Sequence, residues 1–155
     1  MNHDERYIKL ISLTGKEKDN GYQAACYLLA SSQDLYDIAS KLVCREGIPF
    51  DEIKKEYSAI WDDKDKSILL ISENLFRYQT ESSVSPFEMS RLGYPYLDIV
   101  CKAIFIASGY VDIEVNEAAK SLNFNGVRYQ CEGRTKSRFL SLIQKQEEEE
   151  SVFER

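Results

Sequence analysis

The chain has 155 residues, four cysteines and a formal net charge of −6. A chain of that length can form one domain that buries roughly two-thirds of its unfolded surface without cross-links, and the negative balance disfavours general binding to nucleic acid. No segment approaches the roughly 20 apolar residues of a membrane span, and the opening MNHDERYIKL lacks the apolar core of a secretory signal, so a cytoplasmic protein is expected.

Residues 1–13 predict a short amphipathic helix with Tyr7, Ile8, Leu10, Ile11 and Leu13 on its apolar side, stopped by Gly15. The Gly15-Lys16 pair that follows is not a phosphate loop, because Leu10 stands where such a loop needs its first glycine. From Tyr22, the run YQAACYLLAS predicts a helix with Ala25, Cys26, Leu28 and Leu29 inward. Ser32 has the place of an N-cap, and Leu35, Ile38, Ala39, Leu42 and Val43 recur at helical spacing; Gly47 is the expected left-handed C-cap, with Pro49 preventing continuation. Residues 49–59 predict another short helix with Asp51 and Glu52 in its first turn, where the dipole favours acids.

Asp62, Asp63 and Asp65 lack the glycine and terminal glutamate of a calcium loop and are expected to open a helix from about Lys66 to Tyr78. Its apolar residues are Ile68, Leu69, Ile71, Leu75 and Phe76, and Glu73 and Arg77 are spaced to pair. Ser85, Pro86 and Glu88 spell serine at N-cap, proline at N1 and glutamate at N3, the pattern of a capping box.

Tyr96 to Ser108, YLDIVCKAIFIAS, is apolar on almost every helical face, broken only by Asp98 and Lys102 one turn apart. A helix of that kind is expected to be buried, with the others packed around it. After Gly109, residues 110–115 predict a short strand, 116–122 a small helix capped by Asn116, 127–131 a second strand, and 135 to about 150 a closing helix with Phe139, Leu140, Leu142 and Ile143 inward. The expected fold is mainly α: a compact helical bundle around one central buried helix (96–108), with a small two-stranded element near the C-terminus. A core domain, 1–109, would carry an extension, 110–155, packed on it.

The acidic amino-terminal segment, the helix ending in YLLASSQDLYDIASKLV, the segment SILLISENLFRY and the loop-to-helix stretch SSVSPFEMSRLGYPYLDIVCKAI together resemble a family of small uncharacterised helical proteins of bacteria and their mobile elements. The resemblance covers about residues 4–108, and its motifs are caps and core positions. It implies a helical core with no assigned chemistry. As such elements often encode inhibitors, it also implies a regulator or inhibitor of a host nucleic-acid enzyme or defence protein.

Catalytic signals are sparse. His3 is the only histidine, in a segment expected to be mobile, which argues against histidine-assisted hydrolysis and against a histidine-ligated zinc site. Cys26, Cys44, Cys101 and Cys131 are 18, 57 and 30 positions apart and give no close metal-binding pair; they read as ordinary buried thiols in a reducing compartment. No enzyme activity, metal or cofactor is expected.

Two binding readings remain. Residues 118–145 hold Lys120, Arg128, Arg134, Lys136, Arg138 and Lys145 against Glu132, a sum of 6 − 1 = +5. With Glu117, Ala118, Ala119 and Leu122 as the first helix of a helix-turn-helix, Lys120, Arg128, Arg134, Lys136 and Arg138 would face nucleic acid, although Gly126 and Gly133 leave only six residues between them for a recognition helix. The favoured reading is a protein-binding module. Ten tyrosines and seven phenylalanines are ample aromatic surface for an interface; Trp61, Asp62, Asp63, Asp65, Tyr94, Tyr96 and Tyr110 are the candidate contacts, for a partner with a basic surface, and a homo-oligomer is compatible with this.

Overall fold

The computed structural model describes residues 1–58 and 62–153, with side chains described through Gln144. Among the described residues the chain forms α1 (His3–Thr14), α2 (Asn20–Leu29), α3 (Gln33–Leu42), α4 (Phe50–Tyr57), α5 (Asp63–Phe76), α6 (Pro86–Ser90), α7 (Tyr96–Ala107), β1 (Asp112–Asn116), β2 (Ser121–Asn125) and α8 (Val127–Phe153). The fold is mainly helical, with one antiparallel hairpin near the C-terminus, as expected.

Most helices start where a short polar side chain takes over an unsatisfied backbone donor. The cap oxygens of Asn2, Asp19, Ser32 and Ser85 accept from the amides of Glu5, Tyr22, Leu35 and Glu88. Asp62 serves two amides, those of Lys64 at 2.8 Å and Asp65 at 3.2 Å. The Ser85 box closes as the sequence spells it, with the Ser85 amide donating to Glu88 at 2.7 Å.

α2 is the enclosed helix. Ala24, Ala25, Cys26, Leu28 and Leu29 have no exposed surface, and α5 and α7 lie along its sides with α1 across it. The expectation that 96–108 would be the central element is corrected: α7 buries Ile99, Val100, Ala103 and Ile106 but leaves Ile104 45% and Phe105 40% exposed. The reason is geometrical. The paired alanines of α2 admit neighbours closely on several sides, whereas α7 packs on α2 and α5 along one side and is largely open to solvent on the other, where Phe105 meets only Tyr129.

The α2–α3 corner is held by Arg6 of α1. Its Nε donates to the Ala30 carbonyl at 2.7 Å and its Nη2 to the Ser31 carbonyl at 3.2 Å, so the guanidinium occupies acceptors that the end of α2 leaves open. α4 is tied to α5 by a charge network in which Lys54 lies 2.9 Å from Glu73 and 3.1 Å from Asp51, and Arg77 lies 3.2 Å from Glu73. The expected Glu73–Arg77 pair is thus one side of a larger arrangement.

Three other expectations change. α3 ends at Leu42 with Val43 already extended, and Gly47 instead takes φ +151° in a turn where it and Cys44 exchange backbone hydrogen bonds. Of the four thiols only Cys26 is buried; Cys44, Cys101 and Cys131 are exposed. His3 is not a loose terminus: its Nε2 donates to the Tyr27 carbonyl at 2.8 Å, its ring meets Tyr27 edge-on at 4.4 Å, and burial lowers its pKa.

The hairpin replaces the predicted helix at 116–122. Asn116 accepts from the Ala119 amide at 3.0 Å, Lys120 turns the chain with φ +48°, and β2 returns in register with Val115 opposite Leu122. Leu122 is buried, and its amide donates to Asp4 at 3.1 Å, which fastens the hairpin to α1. Ile113, Val115, Leu122 and Phe124 share one face of the ribbon, on which Leu122 is buried and Ile113 half-buried while Val115 and Phe124 keep much of their surface exposed. The strand expected over 127–131 is the first turn of α8.

Candidate binding surface

The acidic run at 62–65 works as helix-start architecture. Asp62 caps α5 and Asp63 is exposed in its first turn. Asp65 is only 3% exposed: one carboxylate oxygen accepts from the Ser32 hydroxyl at 2.6 Å, which joins the start of α5 to the cap of α3, and the other has no hydrogen-bond partner among the described residues. Burial raises the pKa of Asp65, against the opposing pull of the Ser32 hydrogen bond. The nearby Tyr57 and Tyr96 phenols are raised as well, by burial first and then by these carboxylates. Asp65 is therefore not available to a partner. Asp62 and Asp63 border a cleft that also includes Lys54, Tyr57, Lys66 and Leu69, and Trp61 lies outside the described residues.

The three tyrosines expected near the ends of the 96–108 helix are placed differently from one another. Tyr94 is 91% exposed, in the loop before α7; in the preceding α6, Arg91 sits over the exposed Phe87 ring at 5.6 Å. Tyr96 is half-buried beside Asp65. Tyr110 is part of an aromatic group that anchors α8: Phe105 and Tyr129 meet edge-on at 5.3 Å, and Tyr110 meets Tyr129 at 5.5 Å.

Around that group the chain is pinned by polar contacts. Arg128 donates to the Gly109 carbonyl at 3.0 Å, just past the end of α7. Lys136 lies 2.9 Å from Glu132 and, with the Tyr110 hydroxyl alongside, holds the Glu132 carboxyl below its usual range. Glu132 in turn raises the pKa values of Lys136 and Tyr110. Lys120, in the hairpin turn, lies 3.8 Å from Glu5. Arg134 and Arg138 share a shallow groove on another side of α8 with Gln130 and Ser137. The five cations proposed for nucleic acid therefore do not sit on two helices of a helix-turn-helix; the segment that should supply the first helix is the hairpin.

Beyond Gly133, every described side chain of α8 is exposed. Phe139, Leu140 and Leu142 are 63%, 61% and 61% exposed, and Ile143 37%. The apolar pattern predicts these four inward, and their exposure is the largest departure of the structure from that pattern. A signal was present: the apolar block has no apolar residue one heptad before it, at 132, 133, 135 or 136, so its stripe is too short to seat a long helix on a core.

Two apolar areas are exposed: the outer face of α7 with Cys101, Ile104 and Phe105, where Phe105 meets Tyr129, and, farther along α8 beyond the Glu132–Lys136 pair, the block at 139–143. Among the described residues no three histidine, cysteine, aspartate or glutamate side chains converge as a metal site would require, and no helix is long and apolar enough to cross a membrane. Compared with models of protein families, with curated proteins and with solved structures, the chain matches none significantly.

Proposed function

We propose that the protein is a non-enzymatic protein-binding module whose contact element is α8. The observation that carries this reading is the exposed block Phe139, Leu140, Leu142 and Ile143 on a helix whose first turns are fixed to the body. Large apolar side chains grouped on an otherwise polar helix are what helix-mediated recognition uses as anchors. The exposed, unbridged Cys44, Cys101 and Cys131 suit a reducing compartment, hence the cytoplasm. The resemblance to small proteins of mobile elements supports a regulatory or inhibitory role for such a module.

A photo-activatable phenylalanine analogue at position 139 tests the reading. Irradiation of cells making this variant is expected to give a covalent protein adduct, lost when Leu140 and Ile143 are both changed to aspartate. No protein adduct, or adducts with nucleic acid alone, would overturn it and favour the cationic residues Arg134 and Arg138 as the working face.

A further inference from the structure

The hairpin is held to the body through the first turn of α1 and the ring of Tyr27. The Leu122 amide donates to Asp4 Oδ2 at 3.1 Å, Lys120 lies 3.8 Å from Glu5, and Phe124 meets Tyr27 edge-on at 5.5 Å. His3 stands among these attachments. It precedes Asp4 in the same turn, its ring meets Tyr27 at 4.4 Å, and its Nε2 lies 2.8 Å from the Tyr27 carbonyl. A carbonyl oxygen only accepts, so Nε2 carries the proton and the neutral ring keeps a bare Nδ1. That nitrogen faces Asp4 Oδ1 at 3.7 Å, one acceptor opposite another.

We infer that His3 is a proton-operated latch for the hairpin: neutral, it seats the first turn of α1 against α2, and protonated, it leaves the Tyr27 carbonyl and loosens the Asp4–Leu122 bond beside it. A cation that stays in place and pairs with Asp4 is opposed by the surroundings. The His3 side chain is 20% exposed, so solvent reaches it, but an imidazolium seated there would lose most of its hydration. Of the charged groups around the ring, Asp4 favours the cation, while Arg6 on α1 and Lys102 on α7 oppose it. Lys102 is tied to Asp98 at 2.8 Å, the Tyr27 phenol on α2 is kept neutral by burial, and the hairpin meets the group through Leu122 and Phe124. Burial is the largest of these influences and holds the His3 pKa below its ordinary value of 6.5. A histidine lowered in this way favours the seated state at neutral pH, and that preference declines as pH falls below about 6.5 toward the lowered value. The release is local, because Arg6 still ties α1 to the Ala30 carbonyl. The latch acts on the hairpin whether or not α8 binds a partner.

Nuclear magnetic resonance on the full chain tests this in two ways. The His3 imidazole should titrate with a midpoint below 6.5, and the Leu122 amide resonance should shift with the same midpoint. Amide exchange at Leu122, corrected for the intrinsic rate, should lose several-fold of its protection relative to Leu28 between pH about 7.5 and about 5, an interval in which ordinary carboxylates stay charged. His3→Gln, which can donate to the Tyr27 carbonyl but does not titrate, should remove this pH dependence. An imidazole midpoint at or above 6.5, or a Leu122 amide equally protected relative to Leu28 at both pH values, would overturn the latch. The same loss of protection in His3→Gln would overturn it too, since the proton would then act elsewhere. Where the variant leaves Leu122 unprotected at both pH values, the midpoints of the unmodified chain decide alone: a Leu122 resonance that does not follow the imidazole overturns the latch.

Discussion

α2 and α7 are both apolar helices, and the more apolar one is the less buried. α7 reads YLDIVCKAIFIA and has a higher mean hydropathy than α2, NGYQAACYLL, yet α2 is enclosed and α7 shows Ile104 and Phe105 to solvent. What separates them is side-chain size and the number of neighbours. Ala24 and Ala25 bring adjacent helices close, so large residues such as Leu28 and Leu29 sit between elements; α7 packs closely on α2 and α5, and its other side meets only a few side chains, such as Tyr129 against Phe105 and Phe124 below Lys102. Hydropathy records what a helix would tolerate, and packing decides what it receives.

Leu28→Ala gives the largest expected effect on this contrast. It should destabilise by about 2–5 kcal/mol, the range for large-to-small changes in a closed core, measured by urea unfolding. A value under about 1 kcal/mol would mean that α2 is not the enclosed element. A smaller effect is expected at the contact between α2 and α5, where the buried Ser72 hydroxyl donates to the Ala25 carbonyl at 3.2 Å. Ser72→Ala should cost about 0.5–1.5 kcal/mol, the net worth of one such bond, and a neutral result would assign the α2–α5 seam to apolar packing alone. On α7, Ile104→Ala should cost about 1 kcal/mol or less because much of the side chain is already in water. A loss as large as that of Leu28 would erase the distinction.

The last comparison is one of sign. The pKa of Asp65 is raised in the folded state, so protonated Asp65 favours the fold; this contribution is present below the unfolded carboxyl pKa and is lost as pH rises through the folded value. Relative to Asp65→Asn, the natural protein should therefore become less stable as pH is raised from about 4 toward neutrality. A relative gain over that interval would show that the carboxylate is favoured where it sits, through the Ser32 hydroxyl and the start of α5.

The helical class, the caps at Ser32, Asp62 and Ser85, and the Glu73–Arg77 pair were legible in the sequence because each depends on residues within four positions of one another. The centre of the fold was not, since it depends on which helices meet, and two apolar segments of similar length competed for the place. Residues 116–131 were misread for a related reason. Asn116 is as good at closing a turn as at capping a helix, and the choice was made by remote contacts, the burial of Leu122 and its amide bond to Asp4. Of the candidate site residues, Tyr94 is exposed and Tyr110 supports α8, but Asp65 is interior. The block at 139–143 has the composition of a core segment, but it lies beyond the turns of α8 that reach the core.

A 27-residue helix is about 40 Å long, whereas a compact chain of 155 residues has a radius of gyration of about 15 Å. α8, exposed at every described side chain from Arg134 to Gln144, therefore gives the molecule a body with a long helix attached. Its rotational diffusion should be anisotropic, with amide relaxation in α8 reporting a different correlation time from the helices around α2, and its small-angle scattering should give a radius of gyration above the compact value even for a single chain.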